Sequence, residues 1–426
     1  MATRRQVIRG GAAAVASLLS MPAIIRRSNA QAAAPSGPNI LAPPDFAKLR
    51  PHATFMAGVR PHRIGGVNLS TEELGTPSRP KFLIHNYGHS GAGITLSWGC
   101  AAVVRDDHVA PILDQLRGTS TRASVAVIGF GVIGLTVATE LRRRWPTLPI
   151  NLYDKTLDVR KTTSWVAGGQ FEPSQIFHQY EGSAERKKIL ERYVSLSASR
   201  IREIQTSPRR AQFGVEPRKN YTLDDHDAAF DDFTPCDAVP PFKRVNLPFP
   251  RLNEVGREYS TYLMNPQILL PRLAADLQTS GVVFRKRDFL NRAMVEKLSE
   301  TIIVNCTGYG AGALFNDCAV VPRRGLLAVL TNPNPAKLNY FFSGGCSNEV
   351  ICYMFARQRD IVIGGTIENS DRASATPHDG ATVGKRLLDN IQDVFAGNPG
   401  LCLDPINCTM DPAGPHRPPE PPKVCP

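Results

Sequence analysis

The stretch Val125-Ala126-Val127-Ile128-Gly129-Phe130-Gly131-Val132-Ile133-Gly134 decides the fold. Its apolar start reads as a buried strand, Gly-x-Gly-x-x-Gly follows at once, and helical periodicity then runs to Arg144. Gly129 permits a tight turn, Gly131 lets backbone approach a pyrophosphate, and Gly134 lets helix and strand pack closely. Phosphates belong on the N–H groups of the helix start, at Val132 and Ile133. Ile150 to Tyr153 reads as the next strand. Asp154 ends it 20 residues past Gly134, where an acid should meet a ribose hydroxyl, with Lys155 beside it. A glycine-rich turn without a ligand would explain the glycines alone, but not the strand, helix and acid with them. The expectation is an α/β, Rossmann-like dinucleotide domain.

That motif does not choose the dinucleotide. Farther along, Thr162-Thr163-Ser164 and then Gly168-Gly169-Gln170 precede Glu172-Pro173. The hydroxyls could bond phosphate, and the paired glycines could pass flat under an aromatic ring system. Val304-Asn305-Cys306-Thr307-Gly308 ends a further strand in small residues, as an edge that meets a ligand requires.

Upstream lies His85-Asn86-Tyr87-Gly88-His89-Ser90-Gly91-Ala92-Gly93-Ile94-Thr95-Leu96-Ser97-Trp98-Gly99. His85 and His89 have the i, i+4 spacing of metal ligands on a helix, but Gly88, Gly91 and Gly93 argue against a helix and no metal is expected. Lys81 to His85 and Ile94 to Trp98 read as strands, Val109 to Leu116 as a short helix. Thr301 to Val304, Leu326 to Leu330 and Asp360 to Gly364 also read as strands. Residues 183 to 300 read as charged helical segments mixed with Pro-rich loops.

Composition bounds the rest. The 426 residues, 42% hydrophobic and 21% charged, suffice for about two domains. Much of the net charge of +12 sits in the first 32 residues, which hold five arginines and no acid. No basic stripe interleaves with aromatics, so nucleic acid is not an expected partner. Arg4-Arg5 precede an apolar run from Gly10 to Ile25 and then Ala30-Gln31-Ala32, the layout of a twin-arginine export signal. The run is too short and weakly apolar for a stable membrane span; an ordinary secretion signal or short anchor is the alternative. Export would make the protein periplasmic or secreted. The nine cysteines show no framework. Cys100, Cys306 and Cys318 read as buried small hydrophobes, and Cys402, Cys408 and Cys425 as the better disulfide candidates.

The string from His85 to Gly99 resembles the segment near the C-terminus of the D-amino-acid oxidase family. Gly58-Val59-Arg60-Pro61-His62-Arg63 resembles that family's arginine-proline motif. The resemblance spans most of residues 55 to 100 and 124 to 400, and takes in Tyr353 to Gly365. It departs in order: the family closes on the two motifs that here come first, so the chain looks circularly permuted. Ala413-Gly414-Pro415-His416-Arg417 resembles a decayed copy of Ala57 to Arg63, with coincidence the equal alternative.

The resemblance implies FAD as cofactor and a sheet-based substrate domain beside the Rossmann-like one, with segments interleaved. Expected divisions are 1–32 signal peptide, 33–50 linker, 51–118 permuted FAD and substrate segment, 122–182 FAD-binding, 183–290 substrate, 291–325 FAD-binding, 326–400 substrate and 401–426 Pro/Cys-rich tail. It implies that Arg60 holds the substrate carboxylate with its bidentate fork and that Tyr353 bonds the same group. The Gly91 carbonyl would accept from the substrate amine. Ser90, Gly93, Ile94 and Thr95 would line the flavin ring, Phe289 and Thr307 would touch the adenine half, and Glu172 would be a pocket residue. Glu349 stands where some members carry a second pocket tyrosine. The implied chemistry is oxidative deamination of a D-amino acid: hydride to flavin, electrons to oxygen giving hydrogen peroxide, and imino acid hydrolysed to keto acid and ammonia. Rival readings are a dehydrogenase passing electrons to a quinone or protein, and a non-catalytic exported flavin-binding remnant. A homodimer is compatible with the sequence but not indicated by it.

Overall fold

The computed structural model describes residues 40–76, 78–173, 176–223, 241–347 and 350–398. The signal, the Pro/Cys-rich tail and Glu349 lie outside them. Two sheets organise the chain. Its strands in order are β1 (Thr54–Arg63), β2 (Asn68–Glu73), β3 (Phe82–Tyr87), β4 (Val125–Ile128), β5 (Ile150–Asp154), β6 (Val215–Leu223) and β7 (Lys243–Asn246). There follow β8 (Val255–Met264), β9 (Val283–Lys286), β10 (Ile302–Asn305), β11 (Val320–Thr331), β12 (Phe341–Ser347), β13 (Val350–Ala356) and β14 (Asp360–Thr366).

The first sheet has the order β2-β3-β10-β4-β5-β9, parallel except for the edge strand β2. Val125 to Ile128 and Ile302 to Asn305 are buried on both faces, as continuous apolar strands of a covered parallel sheet must be. The second sheet runs β1-β11-β14-β13-β12-β6-β8-β7, antiparallel except where β12 pairs with β6. The molecule is thus a mixed α/β protein with a Rossmann-like sheet and a second, larger sheet.

The Gly93–Val103 helix packs between the helices Val132–Arg144 and Ala184–Thr206 on the first sheet. This corrects the strand expected at Ile94 to Trp98. All ten residues from Ile94 to Val103 are buried, so the run has no polar face and no period to betray a helix. Its approach to the next helix needs a glycine: a Cβ on Gly99 would stand 1.8 Å from the Tyr193 carbonyl oxygen. After Val103 the chain continues through a π-helical stretch, Val104–Val109, into the helix Ala110–Leu116.

The expected divisions shift in three places. Residues 41–50 are docked chain, not linker: Phe46 is buried against Phe395, Leu41 N–H donates to Pro248 O at 2.7 Å, and Tyr340 OH donates to Ala42 O at 3.0 Å. Residues 183–290 serve both sheets, since β9 joins the first one and the helices Ala184–Thr206 and Pro266–Thr279 pack in its core. The strands β6 to β8 in this stretch were not foreseen. β11 already belongs to the second sheet from Val320 onward. Among the described cysteines, Cys100 and Cys306 are free and buried and Cys352 is buried, whereas Cys318 is in a disulfide, against the expectation of a small buried hydrophobe.

Candidate active site and cofactor cleft

A cavity of about 780 Å³ opens where the C-terminal ends of the parallel strands face the second sheet, the position at which doubly wound sheets bind their ligands. Its floor is the glycine turn. Gly129 has φ +120°, and a Cβ there would stand 2.3 Å from Cys306 O. A Cβ on Gly134 would stand 2.0 Å from Gly129 O, so this glycine serves helix–strand packing and does not itself line the cavity. Gly131, Val132 and Ile133 do.

Asp154 is tied to this turn. Its Oδ2 accepts from Phe130 N at 3.3 Å, and its Oδ1 from Thr156 N at 2.7 Å and Leu157 N at 3.1 Å. Lys155 and Phe289 line the same end of the cleft; Phe289 packs edge-on to Tyr153 under the Arg287 guanidinium. Asn305 Oδ1 holds both the N–H and the hydroxyl of Thr307, at 3.1 and 2.7 Å, fixing the turn after β10.

The three hydroxyls of 162–164 divide their work differently from expectation. Thr162 donates to Val159 O at 2.6 Å and Thr163 to Val59 O at 2.9 Å, so those protons serve the protein, not a phosphate. Ser164 Oγ accepts from Val132 N at 3.0 Å and sits beside Gly131, at the helix start. Beyond it, Gly168 and Gly169 pass closely over Phe355 and Met264 O, where any Cβ would collide. Thr95 is a second correction. It lies outside the cavity lining, and its buried hydroxyl joins the helix start to Glu172, donating to Glu172 O at 2.7 Å and accepting from Glu172 N at 2.9 Å. Ser90, Gly91, Gly93 and Ile94 do line the cavity, as does Gln170.

Arg60, Tyr353, Gly91 and Glu172 come from four separate parts of the chain, and all border this one cavity. The Arg60 guanidinium donates through Nη1 to Thr366 O at 2.9 Å and lies against Gly325. Burial pushes the Tyr353 hydroxyl up, and the Arg60 guanidinium bonded to it pulls it back only in part, so it stays a proton donor. Its ring stacks on Phe355 at 4.4 Å. Glu172 Oε2 accepts from Tyr259 OH at 2.9 Å and from Gln170 Nε2 at 2.5 Å. Burial and that carboxylate push the Tyr259 hydroxyl well up. A guanidinium and a carboxylate thus border the same cavity.

The sequence reading missed Gly325, Ser343, Phe355, Asp371 and Arg287 as cavity residues. Gly325, Ser343 and Phe355 sit on β11, β12 and β13 and the other two in loops; the topology brings them together here. His85 bonds Glu72 at 2.7 Å and Asn305 at 3.1 Å, while burial drives His89 down to about 3. Among the described residues no group of three or more His, Cys, Asp or Glu could hold a metal ion, and no helix is long and apolar enough to cross a membrane.

The cleft fits FAD: glycines hold the space a pyrophosphate needs, a helix start faces it, and an anchored acid stands one strand away. The family comparison agrees. The family model described as FAD dependent oxidoreductase matches residues 124–422. A D-amino-acid oxidase of Streptomyces coelicolor is 28% identical over 250 residues, 57% of this chain and 70% of that one. A human D-aspartate oxidase is 24% identical over 267 residues, covering 58% and 70%. Among solved structures, glycine oxidase of Geobacillus kaustophilus superimposes with a TM-score of 0.47 at 16% identity, over 65% of this chain and 80% of that one.

Proposed function

This chain belongs to the DAO family of FAD dependent oxidoreductases, and from that premise we propose that it oxidatively deaminates D-amino acids after export. The observation that carries the reading is the convergence of Arg60, Tyr353 and Gly91 on the cavity that is also lined by Gly129 to Ile133 of the glycine turn. Arg60 offers a planar fork to the substrate carboxylate, and the Tyr353 hydroxyl donates to the same group. The Gly91 carbonyl accepts from the amine, so three contacts fix which face of the α-carbon is presented. Bound FAD supplies the hydride acceptor and the electron path to oxygen. The protein needs no side-chain base for that step; its part is orientation and exclusion of water.

Glu172, held by Tyr259 and Gln170, places negative charge near the substrate. Neutral or basic D-amino acids are therefore favoured over D-aspartate and D-glutamate; a substrate panel led by D-aspartate reverses this. Two further parts of the reading have support of other kinds. The match to the family model begins at residue 124, behind the segment that resembles the family's close, which supports permutation. The Cys318 disulfide suits an oxidising compartment and so the twin-arginine route to the periplasm or medium.

The test is an absorbance spectrum of the purified protein, repeated after anaerobic addition of a D-amino-acid mixture and followed by a peroxide assay in air. Bleaching with peroxide formation is expected. Bleaching without peroxide points to a quinone or protein acceptor, and a coloured protein that never bleaches to a non-catalytic remnant.

A further inference from the structure

Resting on the reading of Arg60 as the carboxylate anchor, the geometry points to Arg324 and Glu368 as positioning residues that set the Arg60 guanidinium from behind the cavity wall. Arg324 is fully buried, with a side chain 1% exposed. Its Nε donates to Arg372 O at 2.9 Å, Nη1 to Glu368 Oε2 at 2.5 Å, and Nη2 to Ser374 O at 3.1 Å and Asp379 Oδ2 at 2.9 Å. A buried guanidinium is costly unless its donors are met, and here four of its five N–H groups are met, two by carboxylates and two by carbonyls.

The cluster touches Arg60 from two sides. Arg324 and Glu368 exchange both backbone hydrogen bonds, at 2.8 and 2.9 Å, so they form a bridge between β11 and the chain after β14. On one side, Glu368 Oε1 accepts from Thr366 Oγ1 at 2.6 Å, and that hydroxyl accepts from Leu326 N at 2.9 Å. This fixes Thr366, whose carbonyl takes the Arg60 Nη1 proton. On the other side, the residue after Arg324 is Gly325, whose α-carbon supports the guanidinium. The same arginine straps residues 372–374, between the cavity residues Asp371 and Ala373 and the capping carboxylate of Asp379. Burial alone would raise the Asp379 carboxyl, but Arg372, Thr376 and Arg324 hold it well below the usual range, so that carboxylate stays ionised.

No member of this cluster other than Gly325, Asp371 and Ala373 borders the cavity. Arg324 and Glu368 therefore act through Arg60, not on the substrate. Loosening the cluster should cost carboxylate affinity specifically, leaving FAD and the amine contact in place.

The test uses the FAD-loaded protein and two probes, propionate and its uncharged amide propionamide, with dissociation constants from calorimetry. Glu368→Gln keeps shape but removes the charge; it should weaken propionate on the order of 10-fold and leave propionamide and FAD retention unchanged. Arg324→Lys should act in the same direction. In an Arg60→Ala background the Glu368→Gln effect should vanish, which a merely structural role would not produce. Thr366→Val carries the same expectation should Glu368→Gln fail to fold, and Thr366→Ser should restore affinity. Equal weakening of both probes, or an undiminished effect without Arg60, overturns the positioning role. If Arg60→Ala binds propionate as the unaltered protein does, the carboxylate-anchor reading falls first and this inference falls with it.

Discussion

The Arg60 guanidinium lies across the α-carbon of Gly325: a Cβ there would stand 2.5 Å from both Nη1 and Nη2 and 2.6 Å from Cζ. The two residues are two positions off register on the paired strands, and so on one face of the sheet, with Gly58 opposite Gly325 and Arg60 opposite Arg323. The glycine has no positive φ, so an alanine would not strain the backbone. The group in its way is the far end of a flexible side chain, which can swing aside at little cost to the fold. Gly325→Ala should therefore leave FAD binding and melting temperature nearly unchanged. It should raise KM for a carboxylate substrate by roughly 10- to 100-fold, approaching the effect of Arg60→Lys. Steady-state kinetics beside a thermal melt decide it; unchanged KM would mean that the guanidinium pose seen here is not the working one.

Gly129 makes the opposite case, where no flexible end can give. Its φ of +120° disfavours any side chain, and the obstacle to a Cβ is the backbone carbonyl of Cys306 at 2.3 Å. Gly129→Ala must part β4 from the turn after β10, moving the loop off the phosphates. The variant is expected to purify colourless or to lose FAD in gel filtration, where the unaltered protein stays yellow. Full FAD retention by Gly129→Ala would contradict the placement of the pyrophosphate on this turn.

The parts of the site that sequence made legible share a physical cause. The Gly129 turn, Asp154 and the strands around them are dictated locally: small residues where backbone must approach, apolar runs where a strand is covered on both faces. Arg60, Gly91 and Glu172 were reached only through the family resemblance of the motifs around them, and the structure brings all three to the cavity. Thr95 was placed on the flavin because it falls in such a motif, yet its hydroxyl is spent on Glu172. Gly325 and Glu368 carry no local signal at all; they matter only once β1, β11 and β14 lie side by side. The Ile94 to Val103 helix shows the same limit, for a run buried on every side has no period to read.

His89 should shape the acid side of the stability profile. Its imidazole is buried and its Nε2 has no hydrogen-bond partner among the described residues, and burial lowers it from an ordinary 6.5 to about 3. Between those values the unfolded chain binds a proton that the folded one refuses. Stability is therefore complete above pH 6.5 and falls as pH drops toward 3, by roughly 1.4 kcal/mol per pH unit for this one group. Urea unfolding of the unaltered protein should lose about 2–3 kcal/mol between pH 6.5 and 4.5 from this source. His89→Leu should show a pH slope shallower by up to one proton. Parallel profiles for the two proteins would remove His89 from the account.

The segment ahead of the glycine turn is expected to be inseparable from the fold. β3 pairs with β10 in parallel, Ile302 opposite Phe82 through Asn305 opposite His85, so it is an interior strand of the first sheet. β1 pairs with β11 over ten residues, Thr54 opposite Val329 through Arg63 opposite Val320. The Gly93–Val103 helix fills the space between two other helices, with Trp98, Cys100 and Ala101 buried. Removing residues 40–120 would expose one edge of each sheet and the apolar faces of the helices Val132–Arg144 and Ala184–Thr206. It would also take away Arg60, Gly91 and one wall of the cavity. A chain beginning at Thr121 contains the whole dinucleotide motif, yet it should aggregate or fail to retain FAD. A chain beginning at Ala33 should fold, turn yellow and turn over. Limited proteolysis of the full chain gives the same answer without truncation, since Phe55 to Trp98 should resist cleavage. A stable, yellow and active protein starting at Thr121 would show that the front segment is an appendage and that the carboxylate anchor lies elsewhere.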